Sequence, residues 1–108
     1  MSLAAAERAT LLGVARDAIH HGLLHGRAPA IDPSRYPPAL QAVAASFVTL
    51  TRDGDLRGCI GTLAASRPLV ADVAANAWAA AFRDPRFPPL VAAEEAQRFF
   101  LQRLHAEA

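Results

Sequence analysis

The sequence contains a single cysteine, Cys59, so no intramolecular disulfide can form and packing must hold the fold. Without a disulfide framework the expected compartment is a reducing cytoplasm. Lysine is absent, and all eleven basic residues are arginine. A GC-rich coding sequence accounts for that bias. So would an arginine-built phosphate site, if the arginines cluster in space. Charge of one sign is also lacking: 11 basic against 10 acidic residues give a net charge of +1. No strong field therefore points to nucleic acid or acidic lipid, and no basic stripe suggests a nucleic-acid reader. No apolar run reaches membrane-spanning length, because Asp72 and Asn76 interrupt the most hydrophobic segment. No basic stretch followed by an apolar run opens the chain, so no export signal is expected. Internal repeats, low-complexity tracts and linkers are absent as well.

What remains is a chain of 108 residues with 53% hydrophobic content, expected to form a single domain over 1–108. Much of that content is alanine. Residues 3 to 25 read as a helix capped by Ser2 and stopped by Gly26, with Leu12, Ala15, Ile19 and Leu23 at core spacing. Prolines 29, 33, 37 and 38 make the next stretch a loop, with a short helical turn over 39–45. The period then shifts to that of a strand. Ser46 to Thr51 is rich in β-branched and aromatic residues, Asp53-Gly54 is a two-residue hairpin turn, and Leu56 to Leu63 returns. A second helix starts near Ser66 and Pro68 and runs to about Arg83, with Val70, Val73, Ala74, Ala77, Trp78 and Ala81 as its buried stripe. Asp84 to Pro89 forms a rigid loop, and a last helix is expected over 92–105, where Glu94 and Arg98 have ion-pair spacing. The expected fold is α+β and two-layered: an antiparallel or mixed sheet centred on hairpin 46–63, with three helices packed around it.

A two-residue turn sets a register in which Arg52 faces Asp55, Leu50 faces Arg57, Val48 faces Cys59 and Phe47 faces Ile60. That places Arg57, Cys59 and Gly61 on one face with Val48 and Leu50. Arg57 and Cys59 would then stand ~6–7 Å apart at Cβ, where a guanidinium favours the reactive thiolate. Gly61 would leave a notch beside the sulfur, and Gly58 and Gly61 in a strand mark close backbone approach. Cys59 is therefore a candidate nucleophile, or else a small buried hydrophobe beside Val48. His21 and His25 lie one helical turn apart but lack companion ligands, so no metal and no cofactor are expected. Arg83-Asp84-Pro85-Arg86-Phe87 either binds a carboxylate or phosphate, or stops the helix with Asp84 paired to one arginine and Phe87 plugging the core. Asn76, polar within an apolar helix, either hydrogen-bonds into the hairpin backbone or faces water.

The motif Leu56-Arg57-Gly58-Cys59-Ile60-Gly61 resembles that of the AMMECR domain family, whose bacterial and archaeal members are called AmmeMemoRadiSam system protein A. Phe47 to Leu50, Asp53-Gly54, Arg67 to Leu69, Asp72-Val73, Asn76-Ala77, Ala80 to Phe82 and Asp84 to Leu90 carry the resemblance further, over roughly residues 10 to 90. It implies an α/β fold with a mixed or antiparallel sheet flanked by helices, and a role beside a Memo-like protein and a radical-SAM enzyme. It also implies that the hairpin motif is the functional surface, here Arg57, Gly58, Cys59 and Gly61. Family domains run longer, so this chain corresponds to the N-terminal portion, as a natural short form or a truncation. The uncovered sheet would make a homodimer, with Phe99, Phe100, Leu101 and Leu104 as contacts. Three functions stay open. The first is a binding or accessory module for a small ligand or partner, using Arg57, Gly58, Gly61, Asn76 and Arg86. The second is a cysteine-dependent enzyme using Cys59. The third is a truncated relative that keeps only the fold.

Overall fold

The structure is a computed structural model that describes residues 3–92 and the backbone of 99–107. Helix α1 spans Ala5–His25, a 3-10 turn covers Pro33–Arg35, and α2 is a single turn at Pro38–Gln41. Strands β1 (Ala45–Arg52) and β2 (Asp55–Gly61) form the hairpin, α3 spans Leu69–Phe82, and β3 spans Phe99–Glu107. The sheet has three strands in the order β2-β1-β3, all antiparallel. The α+β expectation therefore holds.

Each element follows from its residues. At the start of α1 the Glu7 carboxylate accepts from the Ala4 N–H at 2.8 Å, satisfying one of the donors that a helix start leaves open. The expected Ser2 cap lies outside the described residues. Gly26 ends α1 in the left-handed region at φ 73°, and its N–H donates to Gly22. Ala15 and Ile19 are buried as expected, joined by Leu11, Val14, Ala18 and Gly22; Leu12 and Leu23 are half-buried against the same core. Helix α3 packs against β1, β2 and α1. It is buried on most of its circumference, which is why it reads as nearly uniform Ala, Val and Leu. Leu90 reaches back to seal the end of α3, its N–H bonded to Ala81 at 2.9 Å and its side chain buried. That plug was expected at Phe87, which is only half-buried.

The turn forms as Asp53-Gly54 requires, with φ of 52° and 86°. Beyond it the register differs from expectation. Arg52 faces Asp55 and Thr51 faces Leu56, but Leu50 faces Gly58, Thr49 faces Cys59, Val48 faces Ile60 and Phe47 faces Gly61. The shift is a β-bulge at Arg57, one extra residue on β2 that exchanges the faces of everything after it.

The last helix is a second correction. Phe99 to His105 belong to β3, and of the expected helix, residues 93–98, with the proposed Glu94–Arg98 pair, lie outside the described residues. A short apolar run is ambiguous between helix and strand. Here β1, with β2 on one edge, has a row of backbone donors and acceptors on the other, and β3 satisfies them. The expected dimer contacts Phe99, Phe100, Leu101 and Leu104 thus have their backbones in the sheet.

Candidate functional site

Two polar assemblies fix the hairpin to the rest of the chain. The first is buried between β1 and the first turns of α3. Asp72, fully buried, accepts hydrogen bonds from the Ser46 N–H at 2.7 Å and the Ser46 hydroxyl at 2.6 Å. It also accepts from Thr62 Oγ1 at 2.8 Å and Arg67 Nε at 2.7 Å. The Asn76 amide donates to the Ser46 carbonyl at 3.0 Å and contacts Thr62 Oγ1 and Asp72 Oδ2 at 3.0 and 3.1 Å. Burial pushes the Asp72 carboxyl up, but the bonds from Ser46, Arg67 and Thr62 outweigh it and hold the group below its ordinary range. Asn76 thus bonds into the hairpin backbone, one of the two roles its position allowed. Its burial makes it a positioning residue beneath the hairpin.

The second assembly covers the outer edge of β2. Cys59 turns its backbone away from β1, and its N–H donates to Asp84 Oδ2 at 3.0 Å. Asp84 is itself buried and accepts from Arg86 three times: from N–H and Nε at 3.0 Å each, and from Nη2 at 2.7 Å. Arg86 Nη2 also approaches the Cys59 carbonyl at 3.5 Å. The Arg86 side-chain bonds are the largest influence on Asp84, burial opposes them, and the backbone N–H groups of Cys59 and Arg86 add to them. The carboxyl is held far below its ordinary value. Arg86 keeps 55% of its side chain exposed. The loop after α3 thus caps an edge strand that would otherwise offer unpaired backbone groups. Pro88 takes part too, its carbonyl accepting from Arg57 Nη2 at 2.8 Å.

Around this edge the motif residues separate. Gly58 faces α3 so closely that an added Cβ would collide with the Ala80 carbonyl. Arg57 is buried, bonded to Pro88, with its guanidinium 5.9 Å from the centre of the Phe87 ring. Cys59 lies on the other face beside Thr49, with Oγ1 and Sγ 3.3 Å apart, and is half-buried. The expected shared face for Arg57 and Cys59 is therefore not formed, because the bulge turns the sulfur away. The expected notch at Gly61 is also absent, since the Phe47 ring fills the space a Cβ would take. The cation brought to Cys59 is Arg86, not Arg57. Sequence reasoning singled out Arg86 and, as one of two readings of the loop, a pair between Asp84 and an arginine, which forms with Arg86; it did not foresee the bond from the Cys59 N–H to Asp84 or the Asp72 hub.

The His21 and His25 rings lie with centroids 4.4 Å apart and planes tilted by 47°. Among the described residues no group of three or more His, Cys, Asp and Glu side chains is placed to hold a metal ion. Nor is any described helix long and apolar enough to cross a membrane.

The AMMECR1 family model matches residues 12–101. A protein of Methanosarcina acetivorans is 40% identical over 91 residues, covering 82% of this chain and 45% of its own length. A Thermotoga maritima protein is 55% identical over 49 residues, 44% of this chain and 28% of its own. The crystal structure of the uncharacterised protein PH0010 from Pyrococcus horikoshii is similar, with a TM-score of 0.70 and 38% identity. The match covers 79% of this chain and 44% of that one. The chain thus spans less than half the length of these relatives.

Proposed function

The chain belongs to the AMMECR1 family, and from that premise we propose that its hairpin is a binding surface of an accessory protein, taking a small anionic ligand or a partner segment. One observation carries this reading: the buried Asp84 fastens Arg86 beside Cys59 while more than half of the Arg86 side chain stays in solvent. A guanidinium held by a buried carboxylate is pre-organised, so a ligand orders little on binding. The β2 edge at Cys59 is already occupied, which disfavours strand addition there. The open sheet face is what remains, with Phe47 40% exposed and Thr49 and Cys59 half-buried. Arg57, Gly58, Gly61 and Asn76 then act beneath the surface: they set the bulge, the close approach to α3 and the seat of the hairpin.

The family resemblance supplies the context, a cytoplasmic modification pathway shared with a Memo-like and a radical-SAM protein. Pull-down with those two proteins tests it. Retained capture by Cys59→Ala together with loss in Arg86→Gln supports the binding reading, and loss in Cys59→Ala alone overturns it. The exposed sheet face is also proposed to pair with a second copy of the chain.

A cysteine-dependent reaction is favoured by the Thr49 hydroxyl at 3.3 Å from the sulfur and by the charge of Arg86 nearby. Iodoacetamide labelling across pH tests it. Labelling that reaches half its maximal rate well below the ordinary thiol pKa of about 8.5 supports a thiolate nucleophile, and an inert thiol removes it.

A further inference from the structure

At the end of the molecule where α1 and α3 both terminate lies a cleft of about 230 Å³, lined by Gly22, Gly26, Trp78, Phe82, Arg83 and Pro89. It is separate in sequence from the hairpin motif. Its floor is aromatic and apolar. Trp78 and Phe82 sit with ring centroids 6.2 Å apart, and both crowd the Cα of Gly22, where an added Cβ would overlap the Phe82 ring. Glycine at position 22 is what lets the two rings sink against α1.

The rim is cationic. The Arg83 guanidinium lies 5.1 Å from the centre of the Trp78 ring. Arg35, Arg67 and Arg86 each hold a carboxylate, whereas Arg83 has no carboxylate partner among the described residues. No acidic side chain lines the cleft. His25 and Arg27 flank Gly26 in the chain. An apolar floor of two rings tilted 42° to each other, with a guanidinium at its mouth that meets no carboxylate among the described residues, is complementary to a small ring that carries an anion. The volume is below the ordinary range of drug-sized sites, roughly 300–1,000 Å³, so the ligand is small.

We propose that this cleft binds a small aromatic carboxylate, its ring packed against Trp78 and Phe82 and its carboxylate paired with Arg83. Arginine suits the task because its fork meets both carboxylate oxygens at once.

Trp78 is the only tryptophan in the chain, so its fluorescence reports the cleft directly. Phenylacetate is the probe, with phenylacetamide lacking the charge and acetate lacking the ring. Expected is a saturable change of Trp78 emission with phenylacetate, about tenfold weaker with either control and about tenfold weaker in Arg83→Gln. Arg83→Lys should restore part of the loss. Arg83 is exposed, so these variants keep the fold, and an unchanged melting temperature checks that they do. Three results overturn the proposal: no emission change up to millimolar phenylacetate, equal responses to phenylacetate and acetate, or full binding in Arg83→Gln. The hairpin reading stands or falls separately, because Arg86→Gln leaves this cleft intact.

Discussion

Gly58 has no room for a methyl group, and the obstacle is backbone: the Ala80 carbonyl on α3. A flexible side chain could move aside, but a helix carbonyl cannot without shifting α3 itself. Gly58→Ala is therefore expected to lower stability by about 2–3 kcal/mol. Gly13, inside α1 with nothing within contact distance of an added Cβ, serves as its opposite. Gly13→Ala should raise stability by about 0.5–1 kcal/mol, as alanine restricts the unfolded chain and favours the helix. Urea unfolding of the two variants checks both signs. The same scale explains Asp72. Its removal strands the Ser46 N–H and hydroxyl, the Thr62 hydroxyl and Arg67. Asp72→Ala should cost about 3 kcal/mol or more, since buried donors lose their acceptor and an arginine its counter-charge. The Asp53-Gly54 turn was legible in sequence, because it follows from the two residues' own chemistry, whereas for Asn76 the bond into the hairpin was one of two roles its position allowed. The Asp72 hub was not legible: its Ser46 partner is 26 positions away, and no spacing rule connects them.

Elements carry what single residues cannot. A two-residue turn sets the register of a hairpin only until an extra residue enters, and the bulge at Arg57 enters three positions after Gly54. It satisfies two demands together: it releases Arg57 toward Pro88 and turns Gly58 toward Ala80. Both partners lie far along the chain, so the local pattern could not announce the shift. The cost of missing it is the whole face assignment of β2, Cys59 included. The same logic turned an expected last helix into β3, since the vacancy beside β1 is a tertiary fact. The loop after α3 makes a pH-dependent element. Asp84 and Asp72 both titrate below their ordinary value of 3.8. Between those depressed values and about pH 4, the folded chain keeps both carboxylates ionised while the unfolded chain takes up protons. The unfolded state then binds more protons, so stability falls as pH falls. The contribution is complete above about pH 4 and is lost progressively below it. Asp84→Asn should flatten that acid limb and lower stability at pH 7 by about 1–2 kcal/mol, a figure reduced for the solvent around Arg86. Urea midpoints from pH 7 down to pH 3, wild type against Asp84→Asn, decide it; parallel acid limbs would exclude Asp84 as a source of the slope.

At the scale of the molecule the sheet is two-sided and treated unequally. Val48 and Leu50 are fully buried under α3, while Phe47, on the same strand, is 40% exposed on the opposite face. Leu56, at 43%, adds to the exposed apolar surface of the hairpin. The PH0010 chain is more than twice as long as the part of it matched here, and the proposal that this face pairs with a second copy follows from the apolar surface that remains open. A face-to-face pair has two-fold symmetry, so each Phe47 meets the same patch on its partner, and burial of both sides contributes at about 25 cal/mol per Å² of apolar surface. Light scattering at micromolar concentration should return twice the 11.4 kDa chain mass. Phe47→Glu should return the monomer mass, because two carboxylates would meet across the axis without a counter-charge. Phe47 also covers Gly61, so some loss of stability is expected in that variant. An unchanged helical circular dichroism signal shows whether it remains folded. Leu56→Glu, on the exposed part of the hairpin away from Gly61, provides the second reading of the same face. A monomeric wild type ends the dimer proposal. A dimer indifferent to both substitutions moves the contact off this face, to the outer edge of β3, which pairs only with β1 among the described residues.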